Sequence, residues 1–387
     1  MIHAPVPSAR RYRLLINCSN LHVGGAVAVA SSFINILSRA PDPRFDVSLL
    51  LSSSVHANLE SLDADLGGFA HCEVVDHHGL GSLWRGLGRR FAGHDVIFTV
   101  FGPAYAIARG RRHVCGFAQP LIVYPSNAVE QRMRLIDRVA QRLKYIVQEV
   151  FFARADELVV ELEHVKQALK RKRLFCSMPI HIVYNTADGI FNEPARWAPV
   201  AFPETPPALR LGVVSRNYPH KNLACLPELK RTLQQQLGLA IEFFVTFTDA
   251  EWLACSEEFR RTIQNVGALV LPQCPGFYAA MDGIIFPSLL ECFSAVPLEA
   301  MTMGKPLFAS DLPFIRDCCH EHAQYFDALD VRSMARCIAA YYQDLSGEQR
   351  QERLQRAENF VRRYPSAAER AQSYMAIALA AVQPQRP

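Results

Sequence analysis

The chain has 387 residues and a formal net charge of +4 at pH 7. Hydrophobic residues make up 50% and charged residues 20%, which excludes a disordered or low-complexity chain and fits a globular protein of two domains. The basic excess lies in the first 205 residues and the remainder is slightly acidic, so the first half is expected to face something anionic.

Arg13 to Cys18 is apolar-rich and predicts a first strand; Ala26 to Ser38 predicts the helix that follows it. Polar Asn17, Ser19 and Asn20 interrupt the run after Arg10, Arg11 and Arg13, so no cleaved leader is expected. Gly24-Gly25 falls at the strand-to-helix turn, where it serves either a tight turn or the close approach of a ligand to the backbone. Phe45 to Leu51 and Cys72 to Val75 predict further strands, with a helix from Ser54 to Leu62 between them. Asp63-Ala64-Asp65 has the form of an Asp-x-Asp metal motif, but no strand leads into it, and His77-His78 lacks an evident third ligand. Both are expected to be loops.

Asp95 to Val100 and His113 to Phe117 predict two more strands, the second ending at Gln119-Pro120. From Ala128 to Arg154, Val129, Met133, Ile136, Val139, Leu143, Ile146, Val147 and Val150 recur at helical spacing. The first expectation is a core-facing helix whose Arg132, Arg134, Arg138, Arg142 and Lys144 are solvated. The alternative is a surface that meets anionic lipid, to which Arg85, Arg89 and Arg90, flanking Trp84 and Phe91, would add. Ala155 to Val160 and Ile180 to Tyr184 predict strands on either side of a helix from Glu163 to Leu169. Five prolines between 192 and 208 predict an interdomain linker.

The second domain opens with a strand, Leu209 to Val214, followed by a loop in which Arg216 and Lys221 lie five residues apart. Two cations so placed suit a diphosphate. Ile241 to Phe247 and Asn265 to Leu269 predict strands, and Gly276 to Met281 a short helix. Asp282 to Phe286 reads as a buried strand, Pro297 to Met303 as a helix with Gly304 as its stop, and Leu307 to Ala309 as the next strand. Small residues Ser294 and Ala295 precede that helix, where unsatisfied N–H groups favour an anion. Glu291 and Glu299 frame the place. Carboxylates accept hydrogen bonds from hydroxyls, so a sugar or ribose is their natural partner. Amphipathic helices follow at Met334 to Asp344 and Glu348 to Arg363, with a last helix from Ala367 to Ala381. The 11 cysteines show no metal-like spacing, which predicts free thiols in a reducing cytoplasm. No apolar run approaches the ~20 residues of a membrane span.

The stretch from Phe286 to Pro306 resembles the signature of retaining glycosyltransferase family 4. That family carries Glu, seven residues, then Glu, within a pattern PSxxEGFGxxxxEAMxxGxP. Pro287, Ser288, Glu291, Phe293, Glu299, Ala300, Met301, Gly304 and Pro306 match it, while Cys292 and Ser294 replace two glycines. The resemblance implies an α/β chain of GT-B fold, two Rossmann-like doubly wound domains facing across a cleft. It implies an N-terminal acceptor domain over 1–205, a nucleotide-sugar domain over 206–366, and a final helix, 367–387, packing back on the first domain. Asn185-Thr186-Ala187-Asp188 resembles the element that closes the first domain of the family, with Thr186 where a glycine is usual.

By the same resemblance, Arg216 and Lys221 neutralise the leaving diphosphate in place of a metal, and Glu291 holds sugar hydroxyls. Glu299 holds the ribose, Leu271 lies where the family holds the base by backbone contacts, and Cys292, Phe293, Ser294, Ala295 and Val296 line the donor. Gly24 and Gly25 lie near the donor phosphate and the acceptor. Gln119 and His113 are the candidates for a polar residue beside the reacting sugar. The implied function is a metal-independent, hexosyltransferase-like enzyme with no cofactor beyond its nucleoside-diphosphate sugar co-substrate. It would act on a saccharide or lipid-linked acceptor in bacterial cell-surface polysaccharide or lipopolysaccharide synthesis. It would work in the cytoplasm or at the inner face of the plasma membrane, with no nucleic-acid partner; the basic first half, not the resemblance, is what suggests peripheral contact with anionic membrane. A sugar-nucleotide epimerase of the same fold and an inactive sugar-nucleotide-binding protein are the alternatives. A nicotinamide dehydrogenase is not expected, because no G-x-G-x-x-G follows the first strand.

Overall fold

Strands covered on both faces favour apolar runs, and most of the thirteen short strands among the described residues, all paired in parallel, are such runs. The computed structural model describes residues 11–84, 86–106, 111–131 and 133–383. Arg85, Arg109 and Arg132 lie outside the described residues.

The chain forms two units. In its described part the first runs to Ile122, resumes over Ala140–Tyr184 and returns from Ser366; the second comprises Val123–Val139 and Asn185–Pro365. The first unit holds β1 (Tyr12–Cys18), α1 (Gly25–Arg39), β2 (Phe45–Leu51), α2 (Ser53–Ser61), β3 (His71–Val74), α3 (Leu87–Phe91), β4 (Val96–Thr99) and β5 (Arg112–Gly116). After α4 (Pro120–Val123) and α5 (Ala128–Gln131) come α6 (Leu135–Phe152), β6 (Glu157–Val160), α7 (Glu163–Lys170) and β7 (Ile180–Ile182). Its sheet has the order β3-β2-β1-β4-β5-β6-β7. Beneath it, Leu14, Ile16, Phe33, Phe45, Val96 and Phe98 form the core.

In the second unit β8 (Leu209–Val213), α8 (Leu226–Leu237), β9 (Ile241–Val245), α9 (Asp249–Leu253), α10 (Glu257–Thr262), β10 (Gln264–Asn265), α11 (Cys274–Ala279) and β11 (Gly283–Phe286) come first. They are followed by α12 (Val296–Thr302), β12 (Leu307–Ser310), α13 (Pro313–Cys319), β13 (Gln324–Phe326), α14 (Val331–Ala339) and α15 (Gly347–Val361). The order is β10-β9-β8-β11-β12-β13. Both sheets are therefore doubly wound, with the direction of strand addition reversing beside the first strand. That reversal opens a crevice at the carboxyl ends of β1 and β4 in one unit and of β8 and β11 in the other.

The last helix, α16 (Ala367–Val382), belongs to the first unit. A capping box between Ser366 and Glu369 starts it. Tyr374 packs edge-on against Phe33 at 5.1 Å, and buried Arg370 donates to Ser32 Oγ at 3.1 Å.

Three readings change with the structure. The proline-rich stretch, expected as a linker within a boundary at 205, packs onto the second unit. Trp197 Nε1 donates to Ile190 O at 2.8 Å, Ala198 N to Pro272 O at 2.8 Å, and Phe202 lies 5.8 Å from the Phe244 ring. Prolines keep this segment out of the sheet, but its aromatic rings still find an apolar surface. Residues 123–139 also join the second unit, where Ala128 and Val129 pack against its core. The expected helix from Ala128 is instead two helices, α5 and α6. Most of the apolar positions on α6 are exposed rather than core-facing; only Gln148 and Phe152 are buried there. Among the described residues, no helix is long and apolar enough to cross a membrane.

The backbone just after β4 leaves no room at Gly116. A Cβ there would lie 1.7 Å from Val100 O, a backbone atom that cannot swing aside. Gly116→Ala is therefore expected to destabilise the first unit by about 1–3 kcal/mol or more, as overpacking does. A urea midpoint equal to that of the wild type would contradict this.

Candidate active site

The loops after β8 and β11 leave neighbouring strands, since Leu211 pairs with Gly283 and Gly212 with Ile284. A backbone bond, Leu289 N to His220 O at 2.7 Å, ties them together. The 3₁₀ turn Pro219–Lys221 then brings Lys221 against the second loop. Lys221 Nζ donates to Glu291 Oε1, which also accepts from Ser288 Oγ at 2.8 Å. His220 Nε2 lies 3.9 Å from the same oxygen. Burial holds the His220 imidazole below its usual value, against the raising charge of Glu291. Two sequence-predicted residues, Lys221 and Glu291, are thus brought together, and His220 and Ser288 join them without having been singled out as site residues.

Arg216 has a different partner. Its Nε donates to Glu251 Oε1 at 2.8 Å, and the N–H of Asn217 reaches the same oxygen at 3.0 Å. Glu251 also closes a capping box with Thr248 at the start of α9. Burial works to raise this carboxyl, but the bonds from Arg216, Thr248 and Asn217 outweigh it and pull it down to about 2. The T-x-x-E spacing at Thr248 announces a helix start. Nothing in it announces a clamp on a loop 35 residues away.

At the far end of the second loop Ala295 caps α12, Pro297 sits in its first turn, and Gly304 ends it with φ +62°. A residue with a side chain would be strained in that left-handed conformation. The first N–H groups of α12 have no partners within the helix. Ser294, Ala295, Val296 and Phe293 are part-buried around this start, and Cys292 is buried. Glu299, in the first turn, accepts from Tyr278 Oη at 2.6 Å. Burial raises the Glu299 carboxyl to about 7, with the charge of Asp188 adding to the rise and the Tyr278 bond opposing it. Tyr278 was read from the sequence only as part of a short helix. Leu271 opens a 3₁₀ turn after β10 and is exposed. A cavity of about 510 Å³ lies beside the start of the second loop, lined by Tyr124, Leu290, Asp311, Pro313, Asp327 and Leu329 among others.

The remaining candidates belong to the first unit. Gly24 caps α1 with φ +73°, at the carboxyl end of β1, and Gly25 begins the helix. Asn20 Nδ2 donates to Phe101 O at 2.8 Å, joining the loops after β1 and β4. Gln119 lies part-buried just before α4. His113 does not reach the carboxyl edge. It is the second residue of β5, buried, with Nε2 2.9 Å from Thr99 Oγ1 in a chain that continues to Asn17 and Ser19. Its place is a polar thread through the sheet, because strand alternation turns it inward. Asp65 Oδ1 accepts from Gly67 N at 2.9 Å and so closes a turn. Among the described residues, no three His, Cys, Asp or Glu side chains are grouped to hold a metal.

Residues 209–344 match the family described as glycosyl transferases group 1. The chain is 23% identical over 153 residues to the O-antigen chain mannosyltransferase RfbU of Salmonella typhimurium; the match spans 39% of this chain and 42% of that one. In structure it is similar to Anabaena HepE in complex with UDP-glucose, with a TM-score of 0.68 and 15% identity over 96% of this chain and 100% of the other. It is also similar to a glycosyltransferase from Rickettsia africae, TM-score 0.68, 13% identical, covering 97% and 100%. The sucrose-phosphate synthase of Thermosynechococcus elongatus scores 0.66 at 13% identity, covering 96% and 100%. The chain has the GT-B fold of these glycosyltransferases. The part that matches the glycosyl transferases group 1 family lies within its second unit.

The raised Glu299 carboxyl gives a pH signature. A folded-state value above the unfolded one means that its contribution to stability is fully present below about 4.5 and is lost as pH rises through about 7. Glu299→Gln removes this titration while keeping an acceptor for Tyr278. The variant should gain on the wild type between pH 5 and pH 8, by roughly 1–2 kcal/mol at pH 8 given that the carboxyl keeps some contact with solvent. A difference in Tm that stays constant across that range would refute the assignment.

Proposed function

We propose that this protein is a retaining glycosyltransferase that moves a sugar from a nucleoside-diphosphate sugar to a saccharide or lipid-linked acceptor in cell-surface polysaccharide synthesis. The observation that carries the reading is the cluster at the switch point of the second sheet, where Lys221, Glu291 and Ser288 meet beside the start of α12. Lys221 and Arg216, with the amides of Ser294, Ala295 and Val296, stabilise the negative charge that develops on the departing diphosphate. Donors preorganised for charge that appears only in the transition state supply the largest catalytic effect in most such sites. Glu291 accepts from sugar hydroxyls and Glu299 from the ribose, while the base lies by Leu271. On the first unit, Gly24 and Gly25 are assigned to a phosphate and Gln119 to the acceptor. No metal or cofactor is required, because the two cations provide the charge. The enzyme acts at the cytoplasmic side of the membrane.

The similarity to an O-antigen mannosyltransferase favours transfer onto a growing glycan over epimerisation of the nucleotide sugar. HepE, a structural neighbour, is described in complex with UDP-glucose, which makes UDP the first base to try. Thermal shift with UDP, GDP and ADP identifies the nucleotide, since a ligand that binds only the folded state raises Tm. Incubation with the matching sugar donor then separates the readings. Transfer yields free nucleoside diphosphate and a glycosylated acceptor, epimerisation yields neither, and an inactive binder shows no turnover.

Glu299→Ala should raise the Kd for the nucleoside diphosphate by the equivalent of about 1–3 kcal/mol, the cost of one lost buried hydrogen bond. An unchanged Kd by calorimetry would remove Glu299 from the donor site. Turnover should survive EDTA. Complete loss that Mg²⁺ or Mn²⁺ restores would instead assign the diphosphate charge to a metal.

A further inference from the structure

Helix α6 is amphipathic, and most of its apolar side chains do not face the protein. Phe152 packs on the Phe117 ring at 4.7 Å and Phe151 on Tyr105 at 4.9 Å, while Gln148 is buried beside them. Those contacts hold the helix by its last two turns. Ile136, Val139, Leu143, Ile146, Val147 and Val150 follow one another at helical spacing along another side, and every one of them is exposed. Ile136 is 80% exposed and Leu143 60%, too open for partial packing to explain. An 18-residue helix is about 27 Å long, so this is a continuous apolar stripe and not a scatter of single residues.

The borders of the stripe are basic. Arg142 and Lys144 are exposed on the same helix, whereas Arg138, one turn earlier, donates to Glu130 O at 3.2 Å and Gln131 O at 3.1 Å. Glu149, the acidic residue in the last turns, is neutralised by Lys172 at 3.0 Å. That ion pair brings the basic run Lys170 to Arg173 up to the side of the helix, with Leu174 exposed next to it. Asp137 is the exposed acid on α6. Two copies of the chain meeting stripe to stripe would set these cations against one another. Anionic headgroups would complement them, while the apolar side chains enter the acyl boundary and the long basic side chains reach back to the phosphates.

We infer that α6 is a membrane-surface helix, which lies in the plane of an anionic bilayer with Ile136 to Val150 inserted and Arg142 and Lys144 on the lipid phosphates. The inference stands on the helix alone and is independent of the reading of the donor site. Nor does it need Arg90, whose guanidinium is already held by Glu73 in a bond of 2.9 Å from Nε.

The test is co-sedimentation of the full chain with vesicles of phosphatidylcholine alone and of phosphatidylcholine with phosphatidylglycerol. The wild type should pellet with the anionic vesicles and stay in solution with the neutral ones. Two variants separate the contributions. Leu143→Asn with Ile146→Asn and Val150→Asn removes the apolar stripe, and Arg142→Glu with Lys144→Glu reverses its border. Each should lower partitioning more than about tenfold, with circular dichroism confirming that the variants are folded. The apolar variant should also lose the binding that persists in high salt. Equal recovery of the wild type with both vesicle types overturns the inference, as does undiminished pelleting of the apolar variant. A wild-type dimer that the apolar variant converts to monomer, without vesicle binding, assigns the stripe to a second copy instead. Vesicle binding by a chain that shows no nucleotide-dependent shift would leave α6 as inferred and refute only the donor reading.

Discussion

The pairing of β8 with β11 is the contact on which the candidate site depends. Parallel strands all end on one edge, and reversal of the winding beside β8 leaves the two loops at that edge without a crossover helix between them. The pairing requires close packing on both faces. A Cβ at Gly212 would lie 2.7 Å from Met281 and Phe277, and one at Gly283 would lie 2.8 Å from Tyr342 Oη. Glycine at these two places lets the flanking elements approach the sheet, and the same closeness fixes how far apart the loops leave it. Lys221 and Glu291 meet because their strands do.

Each charged side chain proposed to act on a donor already has a protein partner. Lys221 is held by Glu291, Arg216 by Glu251, and Glu299 by Tyr278. These bonds keep long side chains in one rotamer before any ligand arrives, which reduces the conformational entropy lost on binding. They also mean that an incoming diphosphate competes with carboxylates for the cations. The competition is uneven. Arg216 is half exposed and its bond to Glu251 leaves other guanidinium nitrogens to reach outward, whereas Lys221 is largely enclosed. Arg216 can therefore bind a phosphate without releasing its carboxylate, and Lys221 must share or exchange its own.

Charge is distributed with the same economy elsewhere. The basic excess of the first half is partly consumed in ion pairs such as Arg90 with Glu73 and Lys172 with Glu149. Other cations lie along α6 and after α7, beside apolar side chains that are exposed. A solvated basic helix would not need that apolar stripe, and a core helix would not expose it.

Much of this was legible in the sequence. Short apolar runs marked most of the strands, because a strand buried on both faces can carry little else. The stretch from Phe286 to Pro306 announced its strand, loop and helix, because Pro297 and Gly304 act through local backbone geometry that neighbouring residues cannot change. The partners of the site were not legible. Glu251 reaches Arg216 across 35 positions and Tyr278 reaches Glu299 across 21, distances that only chain folding closes. His113 entered as a candidate because the resemblance asks for a polar residue near this strand, and alternation alone does not say which side is inward. The clearest limit is α6. Its periodicity determined that one face would be apolar, but periodicity is a property of the helix by itself. Which face meets the protein is decided by what lies against it, and here Phe117 and Tyr105 take the side of Phe152 and Phe151 and leave the stripe outside.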